Sequence, residues 1–406
     1  MRMLYAGKPL PLESPMRPLY RSERAAGAIV LLAALGLAGC YREFEWQRRE
    51  ADVRTERLCA EAADPDHAPD TTFLDCAMEG DGFAPPAPAA KREIVVLAYN
   101  IERGFGQREQ LDLLLHDPGV PTPDVLLLSE VDRGCRRTQF RNVAREYAQA
   151  FGYYYVYATE FVELPGSRGE SGLYDPPLCE HGNAIVSRWP LANVRQIRFA
   201  QNRSWYTSVG FPNPDEPRLG GRVAIAADLR VGDRLLRLYA LHLESNPPLS
   251  VRDAQVREVL DDAQGVFYPV VVGGDLNTYE MAFALYGGFE DQNMRAFREA
   301  GFLDAHAGLS LADRYTAIDQ LPLVIDLIYA RGAKTLAPGV CPGSRCDPLS
   351  DHRPVWASVA LACDAPDPDC DGVADPADNC PQWWNPEQAD AAGDGVGDAC
   401  QSLAGG

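Results

Sequence analysis

The sequence predicts an α/β layered domain. Short apolar, β-branched runs such as Ile94–Tyr99 and Val125–Ser129 recur along the chain and read as buried strands. Stretches with helical leucine spacing, such as Arg108–His116, stand between the first of them. In the middle of the chain several strands follow one another without a helix, which argues against a simple doubly wound sheet.

Residues 1–39 read as an export signal. Arg17, Arg21 and Arg24 form a basic start, and Ala25–Gly39 is an uncharged, largely apolar run of 15 residues. A membrane-spanning helix needs about 20 such residues. Met16 gives a more usual signal length than Met1. The run ends Leu37-Ala38-Gly39-Cys40, which resembles the lipobox of bacterial lipoproteins. That resemblance implies a lipidated Cys40, a membrane anchor and a place in the bacterial cell envelope. Tyr41 is not an Asp retention signal, which points to an outer membrane. Of 11 cysteines, ten remain after Cys40, an even number suited to disulfides in an oxidising compartment.

Residues 40–90 read as an acidic, Pro-rich tether ending in Ala84-Pro85-Pro86-Ala87-Pro88-Ala89-Ala90, with Cys59 and Cys76 available to close a loop. From residue 91 to 362 the texture is that of a globular domain. After the first two strands comes a helix near Arg141–Phe151. Strands are expected near Tyr153–Thr159, Ala184–Ser187, Val223–Leu229, Leu235–Leu243, Val270–Gly273, Ile325–Tyr329 and Val355–Val359. Ser250-x-x-Asp253 reads as the capped start of a further helix. The loops Glu163–Pro177 and Arg203–Gly220 carry no pattern that identifies a substrate.

Polar residues cluster where these strands end. Tyr99-Asn100-Ile101-Glu102, Ser129-Glu130, His181-Gly182-Asn183, Leu241-His242-Leu243-Glu244, Gly273-Gly274-Asp275-Leu276-Asn277 and Ser350-Asp351-His352-Arg353-Pro354 each stand at one. Asp326 lies within Val324-Ile325-Asp326-Leu327-Ile328, where burial of an acid is costly unless a partner meets it. His352 is the candidate partner, since a carboxylate behind an imidazole fixes its tautomer. Glu130 and Asp351 are hard oxygen donors suited to Mg2+, Mn2+ or Ca2+. Asn100 and Asn277 can orient phosphate oxygens without adding charge. Together these are the parts that in-line attack of water on phosphorus requires.

The order of these motifs resembles the endonuclease/exonuclease/phosphatase superfamily, the deoxyribonuclease I-like fold, over about residues 92–361. The resemblance implies a four-layer sandwich, two packed mixed β-sheets flanked by helices. It implies Mg2+ or Mn2+ on Glu130, with Asn100, Glu102 and Asp351 around the ion. It implies Asp275 at the attacking water, Asn277 at the phosphate and His352 backed by Asp326, with Asp275 and His352 both open as the base. His242 assists the leaving group, and Asn183 supports the site. Cys135 with Cys179, and Cys341 with Cys346, are the expected disulfides.

Residues 363–406 lose hydrophobic periodicity and carry ten acids and no Lys or Arg. Asp367, Asp369, Asp371, Asp375 and Asp378 alternate around a Gly turn at calcium-ligand spacing, and Asp390, Asp394 and Asp398 continue the pattern. An EF-hand is disfavoured, because no amphipathic helices flank the acids. The pattern resembles thrombospondin type 3 repeats, which implies Ca2+ and disulfides in place of a core. Ala392 replaces an expected acid, and Cys363 is the candidate partner of Cys370.

The net charge is −20, of which the central domain carries only −6 (28 basic, 34 acidic). Such a chain lacks the basic surface that tight non-specific nucleic-acid binding requires. The expected function is therefore an exported, lipid-anchored phosphodiesterase, monomeric, acting on a nucleic acid or a phospholipid such as sphingomyelin. A phosphomonoesterase of inositol phosphates and an inactive calcium-dependent adhesion protein are the alternatives.

Overall fold

The computed structural model describes residues 78–83, 89–163, 179–202, 218–245, 249–281, 289–290, 292–317, 323–363 and 365–403. Cys40, the Cys59–Cys76 pairing and most of the two unassigned loops lie outside these residues. The first strands in chain order are β1 (Glu79–Gly82), β2 (Glu93–Arg103), β3 (Val125–Arg133), β4 (Tyr154–Glu163) and β5 (Cys179–Ser187). Next come β6 (Leu191–Arg198), β7 (Arg218–Gly220), β8 (Val223–Val231), β9 (Arg234–His242) and β10 (Val270–Met281). The last are β11 (Phe289–Glu290), β12 (Leu303–Asp304), β13 (Val324–Arg331), β14 (Lys334–Val340) and β15 (Val355–Ala360). The helices are α1 (Gln107–His116), α2 (Val143–Phe151), α3 (Leu249–Ala263), α4 (Gln292–Glu299), and the short α5 (Gly343–Cys346) and α6 (Asp398–Leu403).

Among the described residues the strands form two mixed sheets. One runs β1-β4-β5-β3-β2-β15-β14, with β7 on β4, and the other β12-β13-β10-β9-β8-β6, with β11 on β10. Each sheet is antiparallel except for one central parallel pair, β2 with β3 and β9 with β10. The sheets pack face to face, β2 against β10 and β3 against β9. Two parallel pairs thus deliver four strand ends to one edge of the sandwich.

Alternation along each strand explains the layering. Ile94, Val96, Val125, Leu127 and Ile185 point inward and meet Ile225, Leu238, Val271 and Ile328 from the other sheet. Their neighbours Leu97, Leu126 and Leu128 point outward and are covered by Leu114, Val143 and Tyr147 of α1 and α2. On the other side α3 and α4 cover Tyr239, Val270 and Val272 with Val256, Val259 and Phe297. Strands covered on both faces read as continuous apolar runs, which is why they were legible in the sequence.

The structure departs from the expectations at edges and ends. Edge strands β6 and β14 are polar or interrupted by Pro338 and have no apolar run. Glu79–Gly82, within the segment expected to be a tether, pairs antiparallel with β4, and Arg133 forms an ion pair with Glu79 at 2.7 Å. Helix α3 already includes Leu249, so Ser250 is its second residue and not its cap, a correction to the expected start.

The acidic tail docks on the second sheet. The Trp384 ring lies over the Arg331 guanidinium at 4.5 Å, and the Phe302 ring also approaches that guanidinium, at 4.9 Å. Gly301 and Gly332, both at positive φ, leave a slot for the indole, and a Cβ on either would come within 3.3 Å of it. Disulfides join Cys363 to Cys370 and Cys380 to Cys400 in the tail, and Cys135 to Cys179 and Cys341 to Cys346 in the domain.

Candidate active site

The strands do not stop where their apolar runs stop. β2, β3 and β10 continue through the polar motifs, and their registers shift between Asn100 and Arg103, Leu128 and Val131, and Asp275 and Glu280. Within these irregular stretches Glu102, Glu130 and Asn277 adopt left-handed φ of 48°, 54° and 49°. Non-glycine residues rarely sit there, and bulges of this kind re-aim side chains beside functional sites. Gly274, at φ 138°, is required for a further reason: a Cβ would strike the Leu241 carbonyl of β9. That close approach sets Asp275 beside His242.

Asp275 is the hub of the site. It is 2 % exposed. Its Oδ2 accepts from Asn100 Nδ2 at 3.1 Å and lies 3.4 Å from His242 Nε2 and 3.8 Å from His352 Nε2. Its Oδ1 accepts from the Asn277 amide at 3.0 Å. Ser129 Oγ bonds the Leu241 carbonyl at 3.1 Å and ties the two sheets together beneath the site. Burial raises the Asp275 carboxyl above its usual range; the nearby His352 charge opposes this and Asp326 adds to it.

His352 Nδ1 lies 2.7 Å from Asp326 Oδ2. Burial disfavours a charged imidazole, but Asp326 and then Asp275 outweigh it and hold His352 well above its usual value. Ser350 Oγ accepts from the His352 amide and donates to the Asn100 carbonyl at 2.8 Å, which fixes the loop to β2. Thr316 Oγ1 accepts the amides of Ile325 and Asp326.

Glu102, Glu130 and Asp351 form an acidic rim. Burial first, then the charges of Asp351 and Glu130, push Glu102 up to about 7. Burial would raise Glu130 as well, but the charges of His181, Arg103 and Arg222 hold it well below its usual range. Hard oxygens whose charges act on one another suit a divalent cation, and Asn100, whose Oδ1 accepts the Glu102 amide at 3.1 Å, stands beside them. Among the described residues of the domain, the ligand atoms that gather within 4.8 Å of one another are those of Asp275, Asp326 and His352. That trio does not suit a metal, because an imidazole held between two carboxylates keeps its protons and has no lone pair to give.

The sequence-predicted residues are therefore brought to one sandwich edge, with two qualifications. Asn183 lies behind His242: its Nδ2 donates to Glu160 Oε1 and to the Val223 carbonyl. Asn277 spends one of its amide hydrogens on the Leu243 carbonyl at 3.0 Å. Sequence reasoning missed Glu160 and Arg222, each 3 % exposed. Arg222 Nη1 donates to Glu160 Oε2 at 3.0 Å and to His242 Nδ1 at 2.7 Å. An acid in Ala158-Thr159-Glu160-Phe161-Val162 is the same signal that singled out Asp326. His181, quoted in its motif but given no role, sits 3.0 Å from Asp132 through Nδ1.

In the tail Asp367 accepts the amides of Asp371 and Gly372, and Asp390 those of Asp394 and Gly395. Two turns of one design thus stand 23 positions apart, and Ala392 occupies in the second the place of Asp369 in the first.

The profile of the Endonuclease/Exonuclease/phosphatase family matches residues 97–352. Two sphingomyelinases C of Bacillus cereus are each 26 % identical over 199 residues, covering 45 % of this chain and 54 % of theirs. The chain thus spans about half the length of the curated relatives it matches. A solved endonuclease/exonuclease/phosphatase structure from Beutenbergia cavernae, 16 % identical, superposes with a TM-score of 0.50 over 67 % of this chain and 72 % of that one. It supports the fold alone.

Proposed function

The chain belongs to the endonuclease/exonuclease/phosphatase family, and from that premise we propose that it is an exported, lipid-anchored, divalent-metal-dependent phosphodiesterase of the sphingomyelin type. The observation that carries the chemistry is the convergence of Asn100, His242 and His352 on buried Asp275, beside the Glu102, Glu130 and Asp351 rim. Two considerations support the substrate class: the sphingomyelinase relatives, and a lipidated Cys40 that would hold the domain at a membrane surface.

Glu130, Glu102, Asp351 and Asn100 are the residues to hold Mg2+ or Mn2+, and the ion supplies charge neutralisation and polarisation of the phosphate. Asp275 orients the attacking water and, with its carboxyl raised by burial, is suited to take its proton. His352, cationic through Asp326, faces the phosphate oxygens as charge builds on them. Asn277 holds the phosphate, and His242 stands at the leaving-group side.

The tail is read as a Ca2+ module. Asp369 is 5 % exposed, and among the described residues neither of its carboxylate oxygens meets a hydrogen-bond donor. Asp367, Asp369 and Asp371 offer oxygens within 4.8 Å of one another. Burial, Asp371 and Asp378 push Asp369 up to about 7, a strain that a cation would relieve. Asp375, Asp378, Asp390, Asp394 and Asp398 complete the proposed ligand set. A monomer in the bacterial envelope is the proposed state.

The test is turnover by the full chain of sphingomyelin, DNA and inositol phosphates, with Mg2+ or Mn2+. Release of phosphocholine, abolished by His352→Ala, supports the reading. Turnover of DNA alone moves it to the nucleases, and no turnover of any of the three overturns it.

A further inference from the structure

The two histidines beside Asp275 have opposite partners. Behind His352 stands a carboxylate, Asp326. Behind His242 stands a guanidinium: Arg222 Nη1 is 2.7 Å from His242 Nδ1. An arginine carries only donors and does not give up its proton in proteins. His242 Nδ1 must therefore be the acceptor, with its lone pair engaged. The ring proton then sits on Nε2, which faces Asp275 Oδ2 at 3.4 Å. The opposite tautomer would set two acceptors against each other in a buried site, at the cost of a lost hydrogen bond.

Glu160 makes the choice of tautomer consequential. Its Oε2 is 3.6 Å from the same Nδ1 and 3.0 Å from Arg222 Nη1. Without the guanidinium, this carboxylate would be the nearest partner of Nδ1 and would draw a proton to it. His242 would then become a second carboxylate-backed imidazole, like His352. Asn183 holds the far oxygen of Glu160 at 3.1 Å and keeps the carboxylate turned toward Arg222. Burial and the Arg222 charge also press His242 well below its usual value, in keeping with a neutral ring.

We propose that Arg222 is a positioning residue that fixes His242 as a neutral imidazole protonated on Nε2, so that His242 acts as a hydrogen-bond donor and not as a proton acceptor. Glu160 and Asn183 orient Arg222. Asp275 Oδ2, which accepts from the Asn100 amide at 3.1 Å, then faces the protonated Nε2 of His242 at 3.4 Å. For its catalytic consequence the inference rests on the phosphodiesterase reading; the tautomer itself does not.

The experiment is long-range 1H–15N correlation on the full chain with 15N-labelled histidine, with His242→Gln as the assignment control. His242 is expected to show a protonated Nε2 and a bare Nδ1, unchanged across pH roughly 5.5 to 8.5. Arg222→Met, which removes the donors, is expected to move the proton to Nδ1 or to make the ring titrate in that window. It should also lower kcat by about tenfold or more with little change in KM. Arg222→Lys, also donor-only, should restore the wild-type pattern. A proton on Nδ1 in the wild type, or a ring that titrates in the window, overturns the proposal. So does an Arg222→Met spectrum identical to wild type. Should Arg222→Met fail to fold, the wild-type and Arg222→Lys spectra still decide. Absence of turnover with the expected spectra would sink the phosphodiesterase reading and leave the tautomer standing.

Discussion

Asp326 Oδ2 lies 2.7 Å from His352 Nδ1, and Asp326 stands in a buried strand between the apolar pairs Val324-Ile325 and Leu327-Ile328. Replacing that carboxylate by an amide removes the charge that keeps His352 protonated while preserving shape. Asp326→Asn is expected to lower kcat by about 10²- to 10⁴-fold, the range seen when the acid behind a catalytic histidine is neutralised. Steady-state kinetics beside a thermal melt check it. A full loss of activity explained by unfolding would remove the support.

Glu130 is held well below the usual carboxylate range, whereas Glu102 is raised. Glu130→Gln should weaken Mn2+ binding at least about tenfold by calorimetry, and EDTA should abolish turnover by the wild type. Undiminished Mn2+ affinity would place the ion elsewhere.

Asp228 gives a stability prediction remote from the site. Its carboxylate accepts from Arg237 Nε at 2.5 Å, Tyr268 Oη at 2.8 Å and Asn193 Nδ2 at 2.7 Å. Burial would raise this carboxyl, but the Arg237, Asn193 and Tyr268 bonds outweigh it and hold it below the ordinary 3.8. A depressed folded-state value contributes stability above the unfolded-state value and loses it as pH falls through the folded one. Asp228→Asn should therefore be less stable than wild type at neutral pH, and the gap should narrow below about pH 4. Urea melts at both ends of that range measure it; a gap that does not narrow rejects the linkage.

Trp384 anchors the tail through Arg331, Gly301 and Gly332. Trp384→Ala removes a cation–π contact and a packed indole, together about 2 kcal/mol. A melting temperature lower by about 5 °C is expected. Gly332→Val should reproduce the change from the other side of the slot. If limited proteolysis cuts the tail no faster in either variant, the docking does not hold the tail.

How far this molecule was legible depends on whether a signal is local. The strands buried on both faces announced themselves as unbroken apolar runs, and Asp326 stood out because an acid inside such a run demands a partner. The cysteine pairs Cys135–Cys179 and Cys341–Cys346, expected from the even cysteine count and the inferred export, are both bonded. Glu160 carries the same kind of signal as Asp326, but the strand expected near Tyr153–Thr159 stops one residue short of it, whereas β4 runs on to Glu163.

The sequence by itself determined which residues are apolar at which period, and hence the two covered sheets and the polar strand ends. Burial of periodic surface is decided residue by residue along the chain. Only the tertiary structure decided where Glu102, Glu130 and Asn277 point, because their left-handed backbones depend on neighbouring strands. It alone set Arg222, rather than Glu160, closest to His242 Nδ1, and Trp384 in a slot between two glycines. Those are distances between segments far apart in sequence, set by how the two sheets and the tail pack, and no local pattern encodes them.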